Sequence, residues 1–280
     1  MQPAPTTATP PAAAPAPAPP GEAQRRPLLS LIVPAYNEGR RIGASLAAMS
    51  DYLQATGFPY EIIVIDDGSG DATAAVIAEA GARDERLRTI AYTPNRGKGY
   101  AVRTGMRAAR GEYHMFLDAD LSIPIALAAD LLRELQAGYD IAIASRWHPL
   151  SSEAVRPPPA RRVMGSVFRW CVRQLVVSEV RDTQCGCKAY RADVSRRLFA
   201  LSRIERFSFD AEVIFLAARL GYRIKEVPFA LRHVAGSSVR PLRDALVMLR
   251  DLLRIRLNAF RGVYGRLGKA ERVGVAGDAD

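Results

Sequence analysis

The stretch Tyr113-His114-Met115-Phe116-Leu117-Asp118-Ala119-Asp120 places two carboxylates, one residue apart, at the end of an apolar run. The apolar residues predict a buried strand, and the acids follow where that strand ends. Carboxylate oxygens suit Mg²⁺ or Mn²⁺, and these ions keep open positions for phosphate oxygens. Paired acids also occur at ordinary turns, so the interpretation of Asp118 and Asp120 depends on the residues around them.

The alternation of apolar runs with helical stretches continues through residues 28–146. We predict strands at 29–33, 60–65, 87–92, 113–117 and 140–144, and helices at 38–56, 71–81, 98–110 and 124–137. Continuous apolar strands separated by helices are typical of βαβ units around a mostly parallel sheet. Ligands of such sheets bind beyond the carboxyl ends of the strands.

Polar residues follow all five predicted strands. They are Pro34-Ala35-Tyr36-Asn37-Glu38, Asp66-Asp67-Gly68-Ser69, Asn95-Arg96-Gly97-Lys98-Gly99, Asp118-Ala119-Asp120 and Ser145-Arg146. A turn or a helix cap explains any one of them, and we expect Asp71 to cap the second helix. Five such clusters at one edge of a sheet predict a binding site instead. The glycine patterns of dinucleotide sites and phosphate loops do not follow the first strand, and no Gly-x-Ser-x-Gly elbow indicates a hydrolase.

The composition allows a sizeable core in 280 residues, of which 49% are hydrophobic. Residues 1–27 consist mostly of Pro, Ala and Thr, which predicts a disordered tail and no signal peptide. No window reaches the roughly 18 apolar residues of a membrane-spanning helix. Three cysteines are too few for a disulfide framework, which favours a reducing, cytosolic setting.

The net charge of +10 is concentrated in two segments. Residues 156–181 hold six arginines against one acid, and residues 240–272 hold nine basic residues against three acids. Both segments have helical apolar spacing, and the second places these residues on one face: Leu242, Leu246, Leu249, Leu253, Leu257 and Phe260. Basic amphipathic helices of this kind bind membrane interfaces. The alternative is a pair of ordinary amphipathic helices packed on the sheet.

These motifs resemble the inverting family-2 glycosyltransferases of the GT-A fold. The resemblance extends over residues 28–267 and depends on Val33-Pro-Ala-Tyr-Asn-Glu38, Ile65-Asp-Asp-Gly-Ser69 and Asp118-Ala-Asp120 in that order. Dolichyl-phosphate β-glucosyltransferases and polyprenyl-phosphate relatives are the most similar group, through Asn95-Arg-Gly-Lys-Gly99, Arg181-Asp-Thr-Gln-Cys-Gly-Cys-Lys188 and Phe209-Asp-Ala-Glu212. The resemblance implies an α/β fold with a Rossmann-like, mixed but mostly parallel sheet, helices on both faces, and amphipathic interface helices.

The resemblance also implies a domain organisation. We expect a tail at 1–27, a catalytic domain at 28–239 that includes the amphipathic segment 160–180, a membrane-interface helix at 240–268, and a flexible tail at 269–280. The expected location is the cytoplasmic face of a membrane, bound peripherally. The sequence leaves the oligomeric state open.

The implied activity is transfer of a hexose with inversion onto a polyprenyl or dolichyl phosphate, with glucose from UDP-glucose as the favoured donor. GDP-mannose, a UDP-N-acetylhexosamine and a saccharide acceptor are the alternatives. A nucleic-acid-binding protein is the non-enzymatic alternative suggested by the pI of about 9.9. It is disfavoured because the arginines lie on apolar-faced helices without an aromatic stacking platform, so we expect no nucleic-acid partner.

Each motif residue receives a role from the resemblance. The implied catalytic residues are Asp118, Asp120, Arg146 and Asp210. Asp120 is expected to be the principal ligand of Mg²⁺ or Mn²⁺, and Asp118 is expected to border the ribose or the sugar, or to complete the metal shell. The substrate contacts are Pro34, Tyr36, Glu38, Asp66, Asp67, Lys98, Ala119, Arg161, Arg181, Gln184, Lys188 and Glu212. Asp67 is expected to accept an N–H of the nucleotide base. Asp210 and Glu212 are expected to bind sugar hydroxyls or act as a base, with an exposed helix face as the alternative.

Overall fold

A computed structural model describes residues 26–153, 159–231 and 241–265. The strands are β1 Leu29–Ala35, β2 Tyr60–Asp66, β3 Leu87–Ala91, β4 Tyr113–Leu117, β5 Ile141–Ser145, β6 Ser152–Glu153, β7 Cys187–Arg191, β8 Ile224–Pro228 and β9 Ala230–Leu231. The helices are α1 Ile42–Thr56, α2 Thr73–Arg83, α3 Lys98–Ala108, α4 Leu127–Gln136, α5 Pro159–Leu175, α6 Ala192–Leu201, α7 Phe209–Leu220 and α8 Pro241–Phe260.

Every strand and helix predicted between residues 28 and 146 is present, with shifted ends. The first helix begins at Ile42 and not at Glu38, because residues 38–41 form a turn in which Arg41 N–H donates to the Glu38 carbonyl. The fourth helix begins at Leu127 and not at Pro124, again after a turn in which Leu127 N–H donates to the Pro124 carbonyl. The apolar pattern of the sequence does not separate these turn residues from the helices that follow them.

Within the described residues, the main sheet has seven strands in the order β3-β2-β1-β4-β7-β5-β8. The pairs β3–β2, β2–β1, β1–β4 and β5–β8 are parallel, whereas β7 is antiparallel to both of its neighbours. The predicted mixed, mostly parallel sheet is therefore confirmed. Strands β6 and β9 form a separate parallel pair.

The topology decides which loops meet at the carboxyl edge, by which we mean the edge where β1 to β5 end. Strand β5 runs parallel to β4 because each is antiparallel to β7 between them. All five polar clusters predicted from the sequence therefore lie at this edge. Since β7 runs the other way, it begins there, and it brings residues 182–188 between the ends of β4 and β5.

Both faces of the sheet are covered, which explains why the strands β1, β2, β4 and β5 are mostly apolar and buried. In β2, Ile62 and Val64 pack into one cluster with α1, α2 and α4. Ile63 and Ile65 pack into the other cluster, with α3, α6, α7 and parts of α5 and α8. Helix α3 lies so close to β1 that a Cβ on Gly105 would stand 2.4 Å from a methyl carbon of Ile32.

Helix α8 is docked on one face and exposed on the other. Leu252 and Ile255 are fully buried beside α5 and α7. Leu253 and Phe260 are 55% and 91% exposed. Among the residues that the structure describes, no helix is long and apolar enough to cross a membrane.

The chain enters the domain at the opposite, amino edge of the sheet. Arg26 donates to the carbonyls of Arg110 and Gly111, and the carbonyl of Pro27 accepts from Glu112 N–H. Arg26 and Pro27 therefore belong to the folded domain and not to the predicted tail. The rest of that tail, and the predicted tail at 269–280, lie outside the described residues.

Candidate active site

A tight turn after β4 presents the two acids of the opening motif. Asp118 N–H donates to the Gly186 carbonyl at 3.0 Å, and Ser122 N–H donates to Asp120 Oδ1 at 2.9 Å. Leu121 adopts a left-handed conformation with φ of 51°, which is uncommon for a residue with a side chain and marks a constrained turn. Asp118 and Asp120 are partly exposed, whereas Ala119 between them is buried in the core. The methyl group of Ala119 therefore faces the interior, and the predicted contact of this residue with substrate would have to come from its backbone.

Lys98, the first residue of α3, forms an ion pair with Asp118. Its Nζ lies 2.6 Å from Asp118 Oδ1, and both side chains are partly exposed, at 21% and 30%. Burial would lower the pKa of Lys98, but the charges of Asp118 and Asp210 outweigh this effect and raise that pKa above its ordinary value. Lys98 therefore stays positively charged at the carboxyl edge, in direct contact with an expected metal ligand.

A second ion pair, between Lys188 and Asp210, lies buried beside the first. Lys188 Nζ is 2.5 Å from Asp210 Oδ1 and 2.6 Å from the Cys185 carbonyl. Lys98 and Lys188 both lie over the ring of Phe116, at 5.8 and 5.1 Å. We call Lys98, Asp118, Lys188 and Asp210 the charge cluster. Burial raises the pKa of Asp210, against the opposing charges of Lys188 and Lys98.

The buried pair corrects two expectations about this part of the chain. Lys188 is fully buried, so its ammonium neutralises Asp210 and does not face an acceptor. The exposed helix face considered for Asp210 and Glu212 is also wrong, because both residues are buried at the start of α7.

Glu212 is a structural residue of the interior and not a substrate contact. Its Oε2 accepts the N–H groups of Arg203 and Ile204, both at 2.8 Å, and its Oε1 accepts the Tyr264 hydroxyl at 2.7 Å. Burial raises the pKa of Glu212. The sequence placed it beside Asp210 because the two residues are close along the chain, but they point to different partners.

Gly186 permits Asp118 to occupy its position. A Cβ at residue 186 would stand 2.1 Å from Asp118 Oδ2. The glycine lies just before β7, which pairs Cys187 with Leu117 of β4. The antiparallel strand therefore brings a residue without a side chain against the acid.

Arg146 at the end of β5 is held by an acid that the sequence analysis missed. Asp182, which is buried, accepts two side-chain hydrogen bonds from Arg146 at 2.8 Å and a third from its backbone N–H at 2.9 Å. Burial would raise the pKa of Asp182, but Arg146 outweighs burial and holds that pKa below its ordinary value. Asp182 lay within the quoted motif of residues 181–188, and only its pairing across the sheet reveals its role.

Arg41 is a second missed residue. It forms an ion pair with Glu38 through two hydrogen bonds, and Glu38 was expected at the nucleotide. The hydrogen bond with Glu38 raises the pKa of Arg41, and the charges of Asp120 and Asp118 add to this effect. Arg41 therefore lies within electrostatic reach of both acids of the motif. Tyr36, in the same loop, is about half exposed.

Asp66 and Asp67 hold loops at the carboxyl edge. Asp66 accepts Ser69 N–H, and Asp67 accepts hydrogen bonds from the Asn95 side chain and from Arg96 and Gly97 N–H, all three between 2.7 and 2.8 Å. Both aspartates are buried. Asp67 therefore positions the loop that leads into Lys98, which differs from the expected contact with a nucleotide base. Asp71 accepts Thr73 N–H at the start of α2, but it lies one residue ahead of the N-cap position, which is Ala72, because the helix begins at Thr73 and not at Asp71.

The remaining expected contacts are distributed along the same edge or lie beyond the described side chains. Pro34 is the last residue but one of β1 and is partly exposed. The Arg181 side chain is exposed, and Gln184 follows Asp182 with a buried side-chain nitrogen that has no partner among the described residues. Arg161 lies in α5, where its side chain is outside the described part of the chain.

The carboxyl edge fits a divalent cation. Asp118 and Asp120 supply partly exposed carboxylate oxygens, which are the ligands that Mg²⁺ and Mn²⁺ prefer. In the described residues, no three His, Cys, Asp or Glu side chains form a complete metal site. The two acids therefore suit an ion that shares its coordination with water and with oxygens of a bound phosphate.

Solved structures with the same architecture define the class of fold. The chain is similar to glucosyl-3-phosphoglycerate synthase from Mycobacterium tuberculosis in complex with Mn²⁺, UDP and glucosyl-3-phosphoglycerate, with a TM-score of 0.62 and 20% identity over 85% of this chain and 80% of that one. For the complex of that synthase with Mg²⁺ and UDP, the TM-score is 0.63 and the sequence identity is 21%, again over 85% of this chain and 80% of that one. At this identity the likeness concerns the fold alone, and it confirms the predicted GT-A architecture.

Sequence comparison gives the family. Residues 30–199 match the family described as Glycosyl transferase family 2. The chain therefore belongs to glycosyltransferase family 2, and the predicted enzyme class is confirmed.

The most similar relatives that were found carry the name dolichyl-phosphate beta-glucosyltransferase. The protein of Drosophila melanogaster is 35% identical over 84% of this chain and 76% of its own length. The protein of Mus musculus is 34% identical over 84% of this chain and 77% of its own length. That of Dictyostelium discoideum is 33% identical, over 84% and 76%. The predicted likeness within the family is also confirmed.

Substitution of Glu212 by Ala tests its structural role. The change leaves two buried N–H groups and a buried hydroxyl without their acceptor, so we expect the free energy of unfolding to fall by about 3 kcal/mol or more. Urea unfolding measures the loss. Glu79→Ala, at an exposed ion pair of α2, is the control and should change stability by less than about 0.5 kcal/mol. If Glu212→Ala unfolded at the same urea concentration as the wild type, the structural role of Glu212 would be contradicted.

Substitution of Gly186 by Ala tests the position of Asp118. The new Cβ must displace the carboxylate, which can rotate away, so we expect at least about a tenfold loss of Mn²⁺ affinity in the presence of UDP and little change in stability. Titration calorimetry measures the affinity. Gly70→Ala is the control, because none of the described atoms lies within 4 Å of its added Cβ. Equal Mn²⁺ affinity of both variants would show that the observed position of Asp118 is not needed for the metal.

Proposed function

We propose that this enzyme transfers glucose from UDP-glucose, with inversion, to the phosphate of a dolichyl or other polyprenyl phosphate. The observation that carries the proposal is the meeting of Asp118 and Asp120 with Lys98 and Arg146 on one edge of the sheet. The names of the relatives support the acceptor and the sugar. The Mycobacterium tuberculosis structures with UDP and Mn²⁺ or Mg²⁺ support the donor and the metal through a shared fold.

The acids at the end of β4 would bind Mg²⁺ or Mn²⁺ together with the donor diphosphate. A bound ion of this kind neutralises charge on the departing diphosphate. Pro34, Tyr36 and Glu38 lie along the end of β1, where they would border the nucleotide. Lys98 and Arg146 supply positive charge on either side of the acids for the phosphates of donor and acceptor.

The acceptor chemistry removes the need for a strong base. A phosphate monoester has its second pKa near 6, so it is largely dianionic at neutral pH and already a nucleophile. Catalysis then requires fixed positive charge and an in-line approach to the anomeric carbon. Asp182 holds the guanidinium of Arg146 in one orientation, and this pre-organises the positive charge. Asp210 is already committed to Lys188, which agrees with a reaction that uses no carboxylate base.

Two neighbouring helices would bring the enzyme to its lipid substrate. Among the described side chains of α8, the exposed large apolar residues are Leu249, Leu253, Leu257 and Phe260. On α5, Val167 and Trp170 are exposed, the latter by 63%. Exposed arginines at 250, 254 and 261 accompany them. Large apolar side chains with basic neighbours suit an anionic membrane surface, and we propose peripheral binding to the cytoplasmic face.

A donor panel tests the activity. Purified protein is incubated with polyprenyl phosphate and with UDP-glucose, GDP-mannose or UDP-N-acetylglucosamine, with and without EDTA. We expect extractable lipid-linked sugar from UDP-glucose only, and none after chelation. Asp120→Ala should lower the rate by about 100-fold or more, because a metal ligand stabilises the leaving group by several kcal/mol. Asp130→Ala, at an exposed pair on α4, is the control with normal activity. Transfer to a soluble saccharide in preference to the lipid would overturn the proposed acceptor.

Vesicle sedimentation tests the membrane surface. The double change Leu253→Ser and Phe260→Ser removes two exposed apolar side chains, each worth about 1.5 kcal/mol or more when buried in lipid, so we expect binding to anionic vesicles to weaken at least about tenfold. Leu150→Ser, at an exposed leucine outside α5 and α8, is the matched control and should bind normally. Equal binding by the wild type and the double variant would exclude α8 as the membrane contact.

A further inference from the structure

We propose that Lys98 is a built-in counter-ion that holds Asp118 until a nucleoside diphosphate and a divalent cation bind together, so that Lys98 couples the two binding events. The proposal rests on the proposed function, since it takes the acids at the end of β4 as the metal site. It adds that the metal must displace an internal cation, and that the diphosphate accepts that cation.

The contact between Lys98 and Asp118 is direct and accessible. The ammonium nitrogen lies 2.6 Å from Asp118 Oδ1, within hydrogen-bonding distance, and both side chains keep part of their surface in solvent. A metal ion cannot bind Asp118 Oδ1 while the ammonium remains there, because the two cations would repel each other at contact distance. Asp118 Oδ2 packs against Gly186, so a metal ion would reach this carboxylate through Oδ1, and the lysine must leave that oxygen first.

The local charges also oppose metal binding without a diphosphate. Asp118 is already paired with Lys98, and Arg41, which is paired with Glu38, adds a second positive charge within electrostatic reach of both acids. A divalent ion alone would bring two further positive charges close to these two cations. A nucleoside diphosphate brings compensating negative charge, which makes binding of the pair more favourable than binding of the metal alone.

The place of Lys98 on its helix explains where its ammonium would go. Lys98 is the first residue of α3, and the positive end of the helix dipole disfavours a lysine there unless an anion is close. Asp118 provides that anion in the present structure. A phosphate oxygen could replace the carboxylate, since it is favoured both by the ammonium and by the helix end. Asp118 would then be available to the metal.

Lys188, and not Lys98, neutralises Asp210 in the buried part of the charge cluster. Movement of Lys98 from Asp118 to a phosphate therefore leaves that buried pair in place. Lys188 is fully buried and bonded to Asp210 and to the Cys185 carbonyl, and it has no route to the surface in this arrangement. Lys98 is the partly exposed lysine of the cluster. We therefore assign the exchange to Lys98 and a static role to Lys188.

Mn²⁺ binding, followed by electron paramagnetic resonance of the free ion, tests the proposal without an activity assay. For the wild type we expect weak Mn²⁺ binding alone and at least about tenfold tighter binding with saturating UDP; by thermodynamic reciprocity, Mn²⁺ should tighten UDP by the same factor. In Lys98→Gln, Mn²⁺ alone should bind at least about tenfold tighter than in the wild type, and the gain from UDP should shrink.

Further variants make the outcome decisive. Lys98→Arg keeps the charge and should retain weak binding of Mn²⁺ alone. Lys225→Gln removes a lysine on β8, next to Tyr139, and should behave as the wild type. Thermal unfolding of each variant checks that it is folded; if Lys98→Gln is unfolded, Lys98→Met replaces it. Asp120→Ala identifies the Mn²⁺ signal that belongs to this site.

The two proposals fail in different ways. If the wild type binds no Mn²⁺ even with UDP, the metal site of the proposed function is wrong. If the wild type binds Mn²⁺ with UDP but Lys98→Gln binds Mn²⁺ alone no better than the wild type, the metal site stands and the role of Lys98 as a counter-ion is overturned.

Discussion

The pairing of β4 with the antiparallel strand β7 is the interaction on which the site depends. It places Gly186 against Asp118, brings Asp182 to Arg146, and sets Lys188 beside Phe116 and above Asp210. A sheet made only of parallel strands would put these residues at the opposite edge or in a crossover. One reversed strand therefore supplies most of the contacts that orient the acids and the arginine.

The parallel part of the fold could be predicted from the sequence because its strands and helices have recognisable patterns within short segments of the chain. Buried strands, helices of ordinary length and polar strand ends follow from the spacing of apolar residues over short windows. Strand β7 was not predicted, since Cys187–Arg191 includes a lysine and an arginine and has no apolar run. What makes it a strand is pairing with two distant segments, and a lysine can be buried there because Asp210 neutralises it.

The structure brings the predicted strand-end clusters to one edge of the sheet, whereas the sequence did not predict which of their side chains pair with one another. Residue type and position at a strand end indicated Asp118, Asp120, Lys98 and Arg146, but nothing in the sequence shows which acid pairs with which base. Lys98 with Asp118, and Arg146 with Asp182, are contacts between segments 20 and 36 residues apart. The same limit explains the error at Glu212, where neighbours along a buried helix turn to different partners. Ionic pairing in an interior is a property of the assembled fold.

The attachment of Arg26 and Pro27 at the amino edge has a practical consequence. Strand β1 separates that edge from the loop after Ala35, and its seven residues span about 23 Å at the usual rise of a strand. A fluorophore, affinity handle or surface tether placed ahead of Arg26 would thus stand at the far side of the sheet from the acids. Immobilised enzyme could be supplied with nucleotide from solution while its substrate-facing loops remain unobstructed.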